Sequence, residues 1–197
     1  MDAKPPFCIK GVVYRGLREC YDATVPGGTE AVLAELRDDD VHAFFSQSFL
    51  AGGWYDIFPL LELDAAAARA ARVSFEQQVT RASEWQAKHE LGGVYRVFLR
   101  LLRPGTIGAG IARMAGTYYD FARMETTRVS PTELVVVMHG VPEEMAAWLT
   151  LVTSTYVRVA LELAKVPGVS VFRSPYKRTG TSEGHAVGEV SARLVWR

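Results

Sequence analysis

The sequence predicts an α+β fold, with a mainly helical part over residues 1–116 and a strand–strand–helix–strand–strand part over residues 117–197. Three observations carry this. Residues 117–124 and 134–138 are apolar, β-rich runs separated by a turn at Ser130-Pro131. Pro142 then opens a long helical stretch that reaches Lys165 and is stopped by Pro167-Gly168. Residues 169–172 and 190–196 close the chain as two more strands. A long helix packed on an antiparallel or mixed sheet satisfies this order.

The long helix carries Met145, Trp148, Leu149, Val152, Tyr156, Val159, Ala160 and Leu163 as one apolar stripe, of the kind that covers a sheet. Glu143 and Glu144 sit in its first turn and Lys165 in its last, each matching the partial charge of that helix end.

The first part is punctuated by glycine pairs. Residues 7–22 read as a short strand entering a helix. After Pro26-Gly27-Gly28, Thr29 is expected to cap a short helix running to Arg37. Asp38, Asp39 and Asp40 read as a helix start rather than a metal loop, and Val41, Phe44, Phe45 and Phe49 follow at helical spacing. Beyond Gly52-Gly53, residues 54–59 are expected to begin another helix, with Pro59 in its first turn. Residues 64–72 are rich in alanine and favour helix. Ser74 and Gln77 have the spacing of a capping box, with Val79, Ala82, Trp85 and Ala87 on the inward side of the helix that follows. Residues 94–102 and 107–115 predict two further helices, with 105–110 between them read as a flexible connection.

Size and charge narrow the class. A chain of 197 residues, 49% hydrophobic, builds one substantial core, and a single domain over 1–197 is expected. Lysine plus arginine equals aspartate plus glutamate, 22 against 22, so no net field draws the chain to nucleic acid or to an anionic membrane. The basic residues Arg173, Lys177 and Arg178 read as a solvated loop. The start is not a secretory signal and no apolar run is long enough to span a bilayer, so a cytoplasmic protein is expected. Cys8 and Cys20 fit no zinc or dithiol spacing and are expected to be reduced and packed.

No catalytic or phosphate-binding motif stands out, and no metal or cofactor is implied by spacing. Among the histidines, His42 and His89 read as ordinary helix residues and His185 as part of a glycine-rich loop. His139 ends a strand just before Gly140, where a pocket would open. Aromatic residues at element boundaries or on inward faces are the other candidates: Trp54, Tyr55, Tyr95, Tyr118, Tyr119, Trp148 and Tyr156, which with His139 would line a cavity for a small apolar ligand. The competing reading makes these aromatics ordinary core.

The element order, together with Ile9-Lys10-Gly11-Val12-Val13, Gly52-Gly53-Trp54-Tyr55, Gly93-Val94-Tyr95-Arg96 and Leu194-Val195-Trp196, resembles a superfamily. It unites heme-nitric-oxide-binding domains, 4-vinyl reductase domains and subunits of the TRAPP trafficking complex, and the texture also resembles uncharacterised proteins of myxobacteria. The resemblance implies a scaffold that holds an apolar ligand or a partner, and its TRAPP-like members imply a homodimer. It does not imply heme, because heme-binding members use an axial histidine and a Tyr-x-Ser-x-Arg motif. The nearest run, Ser154-Thr155-Tyr156-Val157-Arg158, brings Tyr and Arg too close together.

The leading expectation is a non-enzymatic ligand- or partner-binding regulatory domain. Two alternatives stand beside it. One is an enzyme using His139 with Glu143, Glu144 or Tyr156, and the other is a heme-type gas sensor.

Overall fold

The computed structural model describes residues 4–92 and 104–197. The helix expected over 94–102, the run at Gly93-Val94-Tyr95-Arg96 and the candidate Tyr95 lie outside the described residues. The chain forms two compact units that divide at Gln86/Ala87, within a helix, and each is taken by itself below.

The first unit joins a two-stranded sheet to helices. β1 (Cys8–Lys10) pairs antiparallel with β2 (Trp54–Asp56), with Ile9 opposite Tyr55. The residues expected to start a helix at 54–56 are therefore a strand. Asp56 then accepts from the Phe58 amide and turns the chain into α4 (Pro59–Ala71), whose first position is Pro59 as its sequence requires. Between β1 and β2 lie α1 (Gly11–Thr24), α2 (Gly28–Ala34) and α3 (Asp39–Ser46).

Thr29 does not cap α2. Gly27, at φ 83°, takes the cap position, while the Thr29 hydroxyl donates to the Arg18 carbonyl. α3 follows expectation, because Asp38 accepts from the amides of Asp40 at 2.9 Å and Val41 at 3.1 Å. Replacing Asp38 with alanine is expected to destabilise the first unit by about 0.5–2 kcal/mol, read as a lowered urea midpoint. α5 (Phe75–Glu90) opens on a reciprocal capping box: the Ser74 amide donates to Gln77 Oε1 at 3.0 Å and the Gln77 amide to Ser74 Oγ at 3.2 Å. Cys8 and Cys20 are buried thiols of this unit that form no disulfide with each other, and Cys8 Sγ donates to the Pro5 carbonyl at 3.2 Å.

The second unit contains the end of α5, then α6 (Pro104–Tyr118), β3 (Arg123–Ser130), β4 (Glu133–Pro142), α7 (Ala146–Leu163), β5 (Ser170–Arg173), β6 (Lys177–Ser182) and β7 (His185–Val195). All its strand pairs are antiparallel. The order is β3-β4-β7-β5, and β6 pairs with the first half of β7. Period-two alternation sends Leu134, Val136 and Met138 of β4 and Val190, Ala192 and Leu194 of β7 to one buried face, in register across the strands. α7 covers that face, with the Thr153 hydroxyl 3.8 Å from Met138 Sδ. α6 meets the same face at Gly108, where a Cβ would touch the Leu134 side chain.

Four corrections to the expected elements follow. Residues 117 and 118 belong to α6 rather than to a strand, and β3 begins only at Arg123. Gly108 and Gly110 lie inside α6 rather than in a flexible connection. Lys177 and Arg178 open β6, a fifth strand in the sheet, instead of a loop, and Arg173 ends β5. His185 begins β7, paired with Ser182.

Candidate functional site

α5 buries Val79, Ser83 and Gln86 at i, i+4 and i+7, and the same stripe reaches Glu90 at i+11. This brings a carboxyl group, half-buried, to the last turn of a helix. There the partial negative charge of the helix end opposes it. The compensation comes from aromatic residues of the second unit.

α6 ends at Tyr118, whose hydroxyl donates to Glu90 Oε2 at 3.2 Å. α7 supplies Tyr156, whose hydroxyl also bonds the Glu90 carboxyl. Tyr119 follows directly on α6, its amide bonded to the Ala115 carbonyl, and its ring meets Phe121 edge-on at 5.8 Å between centroids. The three tyrosines and Glu90 are all half-buried, so the group sits at the margin of the core.

Burial pushes the Glu90 carboxyl above its ordinary value, against the hydrogen bonds from Tyr118 and Tyr156 that favour the ionised form. Burial, then the nearby Glu90 charge, pushes the Tyr119 and Tyr156 hydroxyls up. The Tyr156 phenol therefore stays protonated and donates to the Glu90 carboxyl. The arrangement is a half-buried acid bonded by the hydroxyls of two tyrosines that come from two different helices.

The remaining candidates from the sequence do not converge on this point. Trp54 is on β2, 38% exposed, with Lys10 Nζ 3.7 Å from its ring. Tyr55 belongs to an aromatic core with Tyr14, Phe44 and Phe49, and its hydroxyl accepts from the Leu50 amide. Trp148 is buried on α7. His139 lies, by alternation from Met138, on the sheet face away from α7. Its Nδ1 is 3.0 Å from Glu189 Oε1 and its Nε2 3.5 Å from Glu125 Oε2. Glu143 and Glu144 are exposed, and Glu144 pairs with His185 at 3.0 Å. The acid–base set imagined around His139 is thus not assembled. Among the described residues, no group of three histidine, cysteine or acidic side chains converges as metal ligands.

The sequence points to Tyr118, Tyr119 and Tyr156 as aromatic candidates and does not single out Glu90. A signal for Glu90 was present: an acid at the wrong end of a helix, in phase with its buried stripe.

The same order of elements, helices first and then an antiparallel sheet, recurs in solved H-NOX structures. The chain is similar to a crystal structure of an Fe(II) unliganded H-NOX protein from K. algicida, at 12% identity and TM-score 0.65, covering 96% of this chain and 97% of that one. A point variant of that protein matches at 12% identity and TM-score 0.66 over the same shares. A third H-NOX structure, from work on the molecular mechanism of H-NOX activation, matches at 14% identity and TM-score 0.56, covering 95% of this chain and 94% of that one. At these identities the likeness is one of fold. It agrees with the heme-nitric-oxide-binding part of the resemblance, whereas the TRAPP-like and myxobacterial parts, and the homodimer drawn from them, gain no support. No protein-family model and no curated protein sequence matches the chain. Among the described residues, no helix is long and apolar enough to cross a membrane.

Proposed function

We propose that this chain is a small-molecule-sensing regulatory domain of the H-NOX fold, acting in the cytoplasm, with its ligand held at Tyr118, Tyr156 and Glu90. The fold neighbours favour the sensor alternative over a general partner-binding scaffold. The observation that carries the reading is the Glu90 carboxyl bonded by two tyrosines from two different helices.

The residues do not fit a heme held by histidine. His42 and His89 are exposed on helix surfaces, and His139 and His185 are engaged by Glu189 and Glu144. Residues 93–103, outside the described set, contain no histidine, cysteine or methionine. The Ser154–Arg158 run offers no carboxylate clamp either, since Ser154 contacts Arg173 and Arg158 pairs with Glu162 at 2.8 Å. Adding hemin to the purified protein is expected to give no Soret band of the kind a histidine-bound iron shows. A stoichiometric band of that kind would overturn this exclusion.

Native mass spectrometry tests the sensor reading itself. The expected result is a small molecule retained by the purified chain and lost when Tyr118 and Tyr156 are both replaced by leucine. An apo mass alone under gentle ionisation, with no thermal stabilisation by any member of a metabolite library, would contradict it.

A further inference from the structure

We propose that His139 is a proton-operated clasp across the sheet of the second unit: as an imidazolium it ties β3 to β7 through Glu125 and Glu189, and as a neutral ring it lets β3 go at Glu125. This is independent of any ligand at Glu90.

The clasp follows from register. Arg123 of β3 lies opposite His139 of β4, His139 opposite Glu189 of β7, and Glu189 opposite Lys177 of β6. Four neighbouring strands therefore carry one row of ionisable side chains. Glu125, two residues along β3, shares the face of that row. Arg123 Nη2 is 3.0 Å from Glu125 Oε1, and Lys177 Nζ is 3.5 Å from Glu189 Oε2. Each carboxylate keeps a cation on one oxygen and turns the other oxygen to the imidazole. Among the described residues, Arg123, Glu125, Glu189 and Lys177 are the charged groups that face His139. Glu144, beyond the end of β4, is engaged by His185.

A neutral ring cannot satisfy both contacts. Nδ1 is 3.0 Å from Glu189 Oε1 and Nε2 is 3.5 Å from Glu125 Oε2. Neutral imidazole has one N–H and one bare nitrogen, so one of the two points a lone pair at a carboxylate oxygen. Nε2 is shut off from water and completes no hydrogen bond. A proton there turns the approach to Glu125 from repulsive to attractive. The acid on the other side stays ionised meanwhile. Desolvation raises Glu189, but its contacts with His139 and Lys177 outweigh that and hold it below the usual glutamate value.

The clasp bears on the start of β3. Directly after His139, β4 bulges at Gly140, at φ 77°, where a Cβ would lie 2.7 Å from the Phe121 carbonyl. Phe121 belongs to the short connection that leads from Tyr118 into β3. Holding β3 at Glu125 therefore holds the strand that this connection enters. Protonation favours the fold, so the contribution of His139 is present at acid pH and is lost as pH rises through the range in which histidine gives up its proton.

Urea denaturation of the full chain, of His139→Gln and of Glu125→Gln, at about pH 5.5 and about pH 8.5, tests this. Glutamine keeps a donor at position 139 and removes the titration, and the other histidines cancel in the comparison. His139→Gln is expected to raise the unfolding equilibrium constant about threefold or more at the lower pH and to change it little at the higher. A double-mutant cycle is expected to show coupling between His139 and Glu125 at the lower pH alone. Circular dichroism confirms that each variant is folded. Glu125→Gln, at an exposed position, gives a second reading, since its cost is expected to grow toward low pH. A loss in His139→Gln that is equal at both pH values or larger at the higher one overturns the proposal. So does a cycle without coupling at the lower pH, or a Glu125→Gln cost that does not change with pH.

Discussion

Trp148→Ala is expected to destabilise the second unit by about 3–5 kcal/mol, the largest loss of any single substitution in α7. Trp148 is 3% exposed, on a helix buried around most of its circumference: Leu149, Leu151, Val152, Val157, Val159 and Leu161 are buried as well. Removing the indole leaves a cavity in the close packing around α7, which its buried neighbours fill only in part. Urea denaturation followed by circular dichroism measures the loss, and Trp148→Phe is expected to recover more than half of it. A loss under about 1 kcal/mol would contradict the close packing described for Trp148.

The second large effect is expected at Tyr14, in the first unit. Its ring stacks on Phe49 at 4.7 Å and meets Phe44 edge-on at 5.2 Å, and its hydroxyl donates to the Asp56 carbonyl. It thereby ties α1 to β2. Tyr14→Ala is expected to cost about 3–5 kcal/mol, through lost ring packing and an unfilled cavity. Tyr14→Phe keeps the packing and leaves the Asp56 carbonyl without its donor, a loss of about 1–3 kcal/mol. Comparing the two variants by urea denaturation separates packing from hydrogen bonding, and equal losses would contradict the role given to the ring.

What the sequence revealed follows from how locally each element is specified. The capping box at Ser74 and Gln77, the cap at Asp38 and the position of Pro59 are local chemistry, and each formed as its residues dictate. The alternation of β4, with Leu134, Val136 and Met138 facing in, was equally legible. β2 was not, because three residues that include Trp54 and Tyr55 become a strand only by pairing with β1. β6 escaped for a different reason. Its six residues are all exposed, so no apolar pattern marks them, and β7 alone holds them in place. At Thr117 and Tyr118 β-propensity pointed to a strand, while Ile107, Ile111 and Ala115, buried at i, i+4 and i+8, carried the helix through. The site was half visible for the same reason. Tyr118 and Tyr156 stood out as aromatics, whereas Glu90 gains meaning only when α6 and α7 bring their hydroxyls to it.

The carboxyl-carbon resonance of Glu90, followed by NMR as pH is varied, is the most direct test of this site. Burial that outweighs two phenol hydrogen bonds places its titration midpoint above the ordinary 4.5. The native chain then holds this proton to higher pH than the unfolded chain does. The stability it contributes is fully present at low pH and is lost as pH rises from the unfolded value through the folded one. An upward-shifted midpoint is the predicted result. A midpoint at or below that of an exposed glutamate would contradict the withdrawn acid on which the site is built.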